Sequence, residues 1–225
     1  ISYMWDNGET DATINVCPTM TSTYIVTVTD INGCTDSDDV MVTVNPLPTA
    51  DAGMDIAICD GDCTDLTASG GISYMWDNGE TDATINVCPT MTTTYIVTVT
   101  DINGCTDSDD VMVTVNPLPT ANAGMDIAIC DGDCTDLTAS GGISYMWDNG
   151  ETDATINVCP SMTTTYIVTV TDINGCTDSD DVMVTVNPLP TADAGMDVAI
   201  CDGNCTDLTA SGGISYMWDN GETDA

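Results

Sequence analysis

Short runs in which polar and apolar residues alternate cover most of the chain. In 94–100 and in 111–115 every second residue is Tyr or Val, with Thr, Ile or Met between them. A period of two places those residues on one face of a β-strand. Turn residues such as Asp77-Asn78-Gly79 separate the runs and are typical of hairpins. The pattern predicts short β-strands and contains no helical periodicity.

Six or seven strands are expected between residues 48 and 118. The predicted strands are 50–59, interrupted at Gly53, and 64–69, 73–76, 84–88, 94–100 and 111–115. Short strands with turn signals at about 8–12 residue intervals predict an all-β sandwich. Large aromatic side chains are expected to fill its centre, although Tyr74 and Trp76 could instead form a platform for a sugar. The expected core residues are Trp76, Tyr95, Trp147 and Tyr166.

The same sequence recurs with a period of 71 residues. The string ISYMWDNGETDATINVCP starts at Ile1, Ile72 and Ile143, and a further copy starts at Ile214. An Asn-Pro-Leu-Pro string forms a stiff joint between units, because its prolines favour an extended backbone. We therefore expect complete beads at 48–118 and 119–189, the C-terminal part of a bead at 1–47, and the N-terminal part of a bead at 190–225. The sequence starts and stops inside a repeat unit, so we expect the chain to be a section of a longer fibre.

The charge balance removes several classes of function. The 225-residue chain has 37 acidic residues and no Lys, Arg or His, which gives a formal net charge of −37. Binding to nucleic acid or to an anionic membrane surface needs cationic side chains. Catalysis by a His base, a Lys Schiff base or an Arg clamp is excluded for the same reason. Each unit has one Glu, located in a hairpin turn, so an enzyme is not expected.

Several strings within the repeat are characteristic. They are Cys88-Pro89, TTTYIVTVTD at 92–101, NGC at 103–105, VTVNPLP at 113–119, and LTASG at 137–141. Together they resemble the tandem Ig-like or PKD-like repeats of secreted surface proteins of the Bacteroidota, which include large modular adhesins and gliding-motility-associated proteins. The resemblance implies tandem Ig-like (PKD-like) β-sandwich beads on an exported chain, at the cell surface or in a secreted fibre.

Each period contains four cysteines, and the chain has twelve. An even number in a small β unit of an exported chain indicates two disulfides. A zinc site is the alternative, but only one closely spaced pair occurs in each unit. Four cysteines allow three pairings, and spacing alone does not choose among them.

The Ig-like winding that the resemblance implies brings Cys63 close to Cys88, and leaves Cys59 for Cys105. The expected pairs are Cys63–Cys88, Cys59–Cys105 and their equivalents Cys134–Cys159 and Cys130–Cys176. An alternative for the second pair is a bridge between successive beads, such as Cys59–Cys176.

Acidic residues cluster in two loops of each unit. Alternating oxygen side chains around a glycine suit Ca2+, which takes 6–8 oxygen ligands. The alternative is that the carboxylates face water and attract diffuse Na+ or Mg2+. Asp51 and Asp55 form a further acidic pair beside the proline joint. The candidate Ca2+ ligands are Asp101, Asn103, Asp107, Asp109 and Asp110 in one loop and Asp60, Asp62 and Asp65 in the other.

The sequence thus predicts a structural extracellular fibre or stalk, stiffened by disulfides and Ca2+, that displays or tethers a distal domain at the cell surface. Its expected partners are neighbouring beads of the same chain and identical chains in a filament. Two alternatives stay open: an adhesin whose repeats bind glycan or cations, and a filament in which chains pack laterally. Threonine-rich faces such as 92–94 would also suit O-glycosylation.

Overall fold

The computed structural model describes residues 1–223, and in that part of the chain β-strands and turns form the whole structure. Two compact units are present, Ile1–Asn116 and the residues from Pro117 onward. Within the described residues no helix is long and apolar enough to cross a membrane. Each unit contains one complete core.

The first unit begins with a three-stranded antiparallel sheet in the order β1-β2-β3. Its strands are β1 (Ser2–Trp5), β2 (Ser22–Thr29) and β3 (Thr35–Val42). Six strands follow: β4 (Ile56–Cys59), β5 (Thr64–Thr67), β6 (Ser73–Trp76), β7 (Thr84–Val87), β8 (Thr93–Thr100) and β9 (Thr106–Asn116). We call the structure formed by β4–β9 the first sandwich.

The first sandwich consists of two sheets. One has four strands in the order β4-β9-β8-β6, and the other pairs β5 with β7. All pairs are antiparallel except β4 with β9, which run parallel from Ile56 opposite Val113 to Cys59 opposite Asn116. The segment before β4 joins the second sheet through a bridge between Asp51 and Ser69. The fold is an all-β, Ig-like sandwich.

The second unit repeats this arrangement. Its strands are β10 (Ile127–Cys130), β11 (Thr135–Thr138), β12 (Ser144–Trp147), β13 (Thr155–Val158), β14 (Thr164–Thr171) and β15 (Thr177–Asn187). The sheet orders are β10-β15-β14-β12 and β11-β13, with the same registers as in β4–β9. We call β10–β15 the second sandwich, and each of its strands lies 71 residues after its counterpart.

The core of each sandwich contains a tryptophan among aliphatic side chains. Trp76 is 1% exposed, and its indole N–H donates to the Asp82 carbonyl oxygen at 3.0 Å. Valines on the inward faces of β8 and β9 pack around it. Tyr95 is only partly buried and packs against this core, and Trp147 and Tyr166 occupy the equivalent places. Burial without an unpaired polar atom makes these aromatic side chains strongly stabilising.

A close approach between segments explains one glycine. Gly70 has φ +100°, and a Cβ atom there would collide with the carbonyl oxygen of Thr49. The chain before β4 therefore lies directly against the end of the second sheet. Any side chain at this position would displace the segment, so glycine is required for backbone conformation and for space.

The last strand of each sandwich is longer than the sequence pattern predicts. The expected strand at 111–115 in fact begins at Thr106, which lies opposite Thr100 of β8. The predicted acidic loop is therefore a turn of five residues, 101–105, followed by acidic strand residues. The prediction failed there because Thr-Asp-Ser-Asp-Asp has low intrinsic strand preference, whereas pairing with β8 determines the structure.

Candidate functional site: the acidic edge and the disulfide

The turn between β8 and β9 is organised by the carboxylate of Asp101. Its Oδ1 accepts from the backbone N–H of Asn103 at 2.9 Å and of Cys105 at 2.8 Å. Its Oδ2 accepts from the Asn103 side-chain amide at 3.2 Å. Gly104 in the left-handed region, with φ +80°, completes the turn. Both oxygens of Asp101 are thus used by the turn itself.

These bonds stabilise the ionised carboxylate. Desolvation raises the pKa of Asp101. The N–H donors, Cys105 first among them, together lower it by more, so the pKa lies below its ordinary value of 3.8. At Asp30, in the equivalent turn of 1–47, the Cys34 N–H is the main cause of a lowered pKa. A carboxyl group whose pKa is lowered in the folded state stabilises the fold at any pH above its ordinary pKa. This stabilisation is lost as the pH falls through the pKa of the folded state.

Two further carboxylates hold the segment that precedes β4. The Ala50 N–H donates to Asp107 Oδ2 at 3.0 Å, and the Ala52 N–H donates to Asp109 Oδ2 at 2.9 Å. The same bonds occur in the second sandwich, at 2.8 Å each. The carboxylates thus replace the carbonyl acceptors that a neighbouring strand would normally offer to this edge.

The strand period explains why these acids point inward. Every second residue from 107 to 113 lies on the inward face of β9, and these four residues are Asp107, Asp109, Val111 and Val113. Asp110 lies on the opposite, exposed face, across from Ile96 on β8. The acids were predicted to lie in a loop, although the alternation of Val111 and Val113, continued toward the N-terminus, places them on the strand.

The acids near the proline joint also bond to backbone. Asp55 Oδ1 accepts from the Met112 N–H on β9 at 2.9 Å, and Asp51 Oδ1 accepts from the Gly53 N–H at 2.9 Å. Bonds therefore run in both directions between β9 and the segment before β4, since each contributes carboxylates and backbone donors. We call this reciprocal set the carboxylate edge.

The other predicted cluster is also dispersed. Asp65 Oδ1 accepts from the side-chain amide of Asn86 on β7 at 2.7 Å, a contact between paired strands that sequence analysis missed. Asp60 and Asp62 lie exposed around Gly61 in the tight turn after β4. Their backbone N–H groups donate to carbonyl oxygens at 2.8 and 3.0 Å.

This arrangement does not fit a bound Ca2+ ion. The expected ligands are divided among a turn, the inward face of β9 and its outward face. Asp101, Asp107 and Asp109 each already accept a backbone N–H group. Among residues 1–223 no group of three or more acidic or cysteine side chains is placed to hold a metal ion. The structure therefore does not group these residues around one cation, as the sequence had suggested.

A disulfide closes each sandwich. Cys63 precedes β5 and Cys88 follows β7, and the first pair in that ladder is Thr64 opposite Val87. The two cysteines are thus brought together by strand register, with Cα atoms 4.2 Å apart and a bridge between them. Cys134 and Cys159 form the same bridge. A span of 25 residues corresponds to roughly 3 kcal/mol from loss of unfolded-chain entropy.

The expected Cys59–Cys105 and Cys130–Cys176 bridges are wrong, because Cys105 and Cys130 carry free thiols. Cys59 ends β4 opposite Asn116, at the far end of β9, whereas Cys105 precedes the first residue of β9. Eleven strand residues span roughly 35 Å, and a disulfide needs Cα atoms within about 7 Å. Parallel pairing of the first and last strands therefore separates these cysteines.

Comparisons with known proteins add little to this geometry. No protein-family model and no curated protein matches the chain. Among solved structures, the chain is similar to a Ca2+-stabilized adhesin that helps an Antarctic bacterium bind ice, at 19% identity and TM-score 0.35, covering 86% of this chain and 68% of that one. It is also similar to a titin I-band fragment, at 11% identity and TM-score 0.37, with 83% of this chain and 87% of the fragment covered.

The insect immune protein hemolin is a further similar structure, at 15% identity and TM-score 0.35, with 73% of this chain and 56% of hemolin covered. At these identities and TM-scores the likeness carries no conclusion about function. The strands and cores described above are what establish the fold of this chain.

Replacing Asp109 with Ala should lower the free energy of unfolding by about 1–3 kcal/mol, because the N–H of the buried Ala52 would lose its acceptor. Asp110→Ala is the matched control, since it removes the same charge from the exposed face of the same strand. Urea denaturation followed by circular dichroism measures both. Equal losses for the two variants would show that the hydrogen bond to Ala52 contributes nothing.

Chelation should leave the melting temperature unchanged, because the carboxylates of Asp101, Asp107 and Asp109 already accept backbone N–H groups. The measurement compares Tm in EDTA with Tm in millimolar Ca2+, and NaCl is adjusted so that both samples have the same ionic strength. Matching the ionic strength removes the general effect of screening a highly charged chain. A fall of many degrees in EDTA would restore the calcium interpretation.

Proposed function

We propose that the chain is a section of an extracellular structural fibre or stalk that holds a distal domain away from the cell surface. One observation carries the proposal: the two complete sandwiches have the same strands, registers and internal disulfide. The two beads differ only at Asp51, which is Asn122 in the second, and at Thr90, which is Ser161. A unit that is repeated with so little change adds length and stiffness rather than new chemistry. The domains we propose are those expected from the repeat, with beads at 48–118 and 119–189 joined by Asn-Pro-Leu-Pro.

The disulfides support an exported setting. Bridges such as Cys63–Cys88 persist in oxidising compartments and are rare in the cytosol. They also suit a load-bearing part, because the bridge joins the start of β5 to the end of β7. The enclosed strands cannot be drawn out of the sandwich while the bond is intact.

The charge supports the same function. A net charge of −37 with no cationic side chain keeps chains apart and hydrated. Without Lys or Arg the chain also offers no cleavage site to trypsin-like proteases. Both properties suit a polymer exposed outside the cell.

Location is the first test. Antibodies raised against the 225-residue chain and applied to intact source cells should label fibres outside the envelope in immunogold electron microscopy. Labelling only after the cells are permeabilised would contradict an extracellular stalk. A cytoplasmic marker labelled in parallel reports whether the cells were intact.

Single-molecule pulling on the same chain tests the mechanical role. With its bridge intact, each sandwich should release a contour length shorter by about 90 Å than after reduction, since 25 residues at roughly 3.6 Å each stay enclosed. In the Cys88→Ser variant, only the second sandwich should release a longer contour after reduction, because the first sandwich no longer has its bridge. Equal increments before and after reduction would show that the bridge does not bear load.

A further inference from the structure

Every methionine of the chain is exposed. There are thirteen, and the least exposed of them are still at 38%. Methionine is ordinarily among the residues most often buried. A single exposed apolar side chain needs no explanation, but the exposure of all thirteen is a property of the whole fold. In residues 48–118 the exposed fractions are 88% at Met54, 54% at Met75, 71% at Met91 and 38% at Met112, and residues 119–189 repeat these values almost unchanged.

Two of these methionines occupy outward-facing positions on strands. Met112 alternates on β9 with Val111 and Val113, which are fully buried, and the other residues on its face are Thr, Ser, Asp and Asn. Met75 alternates in the same way with the buried Trp76 on β6. Burial of apolar surface therefore does not account for a thioether at these positions, where the sulfur meets solvent.

The buried cores have the opposite composition. Within residues 1–223, the core cluster of each sandwich consists of Ala, Val, Leu, Ile and Trp, with no Met or Cys. The oxidisable side chains of these clusters, Trp76 and Trp147, are each 1% exposed. Oxidation turns the apolar thioether of methionine into a polar sulfoxide and disrupts a core that contains it. In this chain the same change takes place outside the core and leaves its packing intact.

The rest of the composition directs oxidants to the thioethers. Hypochlorous acid also attacks amines, guanidinium groups and imidazoles, but the chain has no Lys, Arg or His. A net charge of −37 repels anionic oxidants, whereas hydrogen peroxide and undissociated hypochlorous acid are neutral and approach freely. Exposed thiols such as that of Cys130 compete for the same oxidants, so they must be capped before the methionines are measured.

We propose that the surface methionines consume neutral two-electron oxidants, of the peroxide and hypohalous acid class, and that the fold survives their oxidation. With hydrogen peroxide, the sulfur donates an electron pair to one oxygen atom, the O–O bond breaks, and the products are a sulfoxide and water. With hypochlorous acid the O–Cl bond breaks, and the products are the same sulfoxide, chloride and a proton. Each methionine removes one oxidant molecule. This activity goes beyond the stalk proposed above and does not depend on it.

Intact mass and thermal stability test whether the fold survives. After the thiols are capped with N-ethylmaleimide, the full chain is treated with dilute hydrogen peroxide until its mass stops increasing. Mass spectrometry should show one added oxygen atom for each of the thirteen methionines, and circular dichroism should show an unchanged melting temperature. A strongly lowered melting temperature, or methionines that stay unmodified in the native chain, would overturn the proposal.

Leu66→Met is the matched control for exposure. It places a thioether at a position that is 1% exposed, and packed cores tolerate exchange between Leu and Met well. Peptide mapping with an aspartate-specific protease should find sulfoxide at Met75 and Met112 while the introduced methionine is still unmodified. Equal oxidation rates at all three positions would show that the fold does not protect its core, which contradicts the proposal.

Competition measures the consumption itself. A limiting amount of hypochlorous acid is added to a mixture of the capped chain and N-acetylmethionine amide, and oxidation of the small molecule is measured. The chain should protect the small molecule in proportion to its number of methionines. A variant that loses four of the thirteen should therefore protect it correspondingly less, with circular dichroism unchanged. The substitutions are Met125→Thr, Met146→Thr, Met162→Thr and Met183→Thr. Equal protection by the variant and the unmodified chain would show that other groups consume the oxidant, and the proposal would be wrong.

Discussion

The hydrogen bonds between inward-facing carboxylates and the backbone of the segment before the first strand are the interaction on which each sandwich depends. Asp107 and Asp109 bind the segment before β4, and Asp55 returns a bond to β9. This edge has no Lys or Arg with which to neutralise the acids, so backbone N–H groups provide the complementary dipoles. With the segment held, β4 can run parallel to β9 and close the core over Trp76.

The same interaction explains how a chain with so much negative charge folds. A carboxylate that accepts backbone N–H groups is stabilised in its ionised form, as at Asp101, so part of the charge contributes to the structure. The remaining acids, such as Asp110, face solvent on the opposite side of the strand. Strand alternation thus separates acids that hold the fold from acids that keep the molecule soluble.

Period-two alternation and turn residues were sufficient to predict an all-β sandwich, the placement of most strands, and Trp76 and Trp147 in the core. The register between strands was not predictable, because it depends on pairing between residues far apart in sequence. That register shortened the acidic loop to 101–105, turned the expected calcium ligands to different faces, and placed Cys59 and Cys105 at opposite ends of β9. The bridge between Cys63 and Cys88 was expected only from the winding that the resemblance implies, because the spacing of four cysteines allows three pairings.

An experimental structure at about 1.5 Å resolution, with Ca2+ in the solution, tests this account most directly. The predicted distances are 3.0 Å from Asp107 Oδ2 to the Ala50 nitrogen and 2.9 Å from Asp109 Oδ2 to the Ala52 nitrogen, with no cation between them. Carboxylates rotated away from those nitrogens and ringed around spherical density at about 2.3–2.6 Å would contradict it. The charge would then be held by calcium, and the backbone bonds would not be what closes the sandwich.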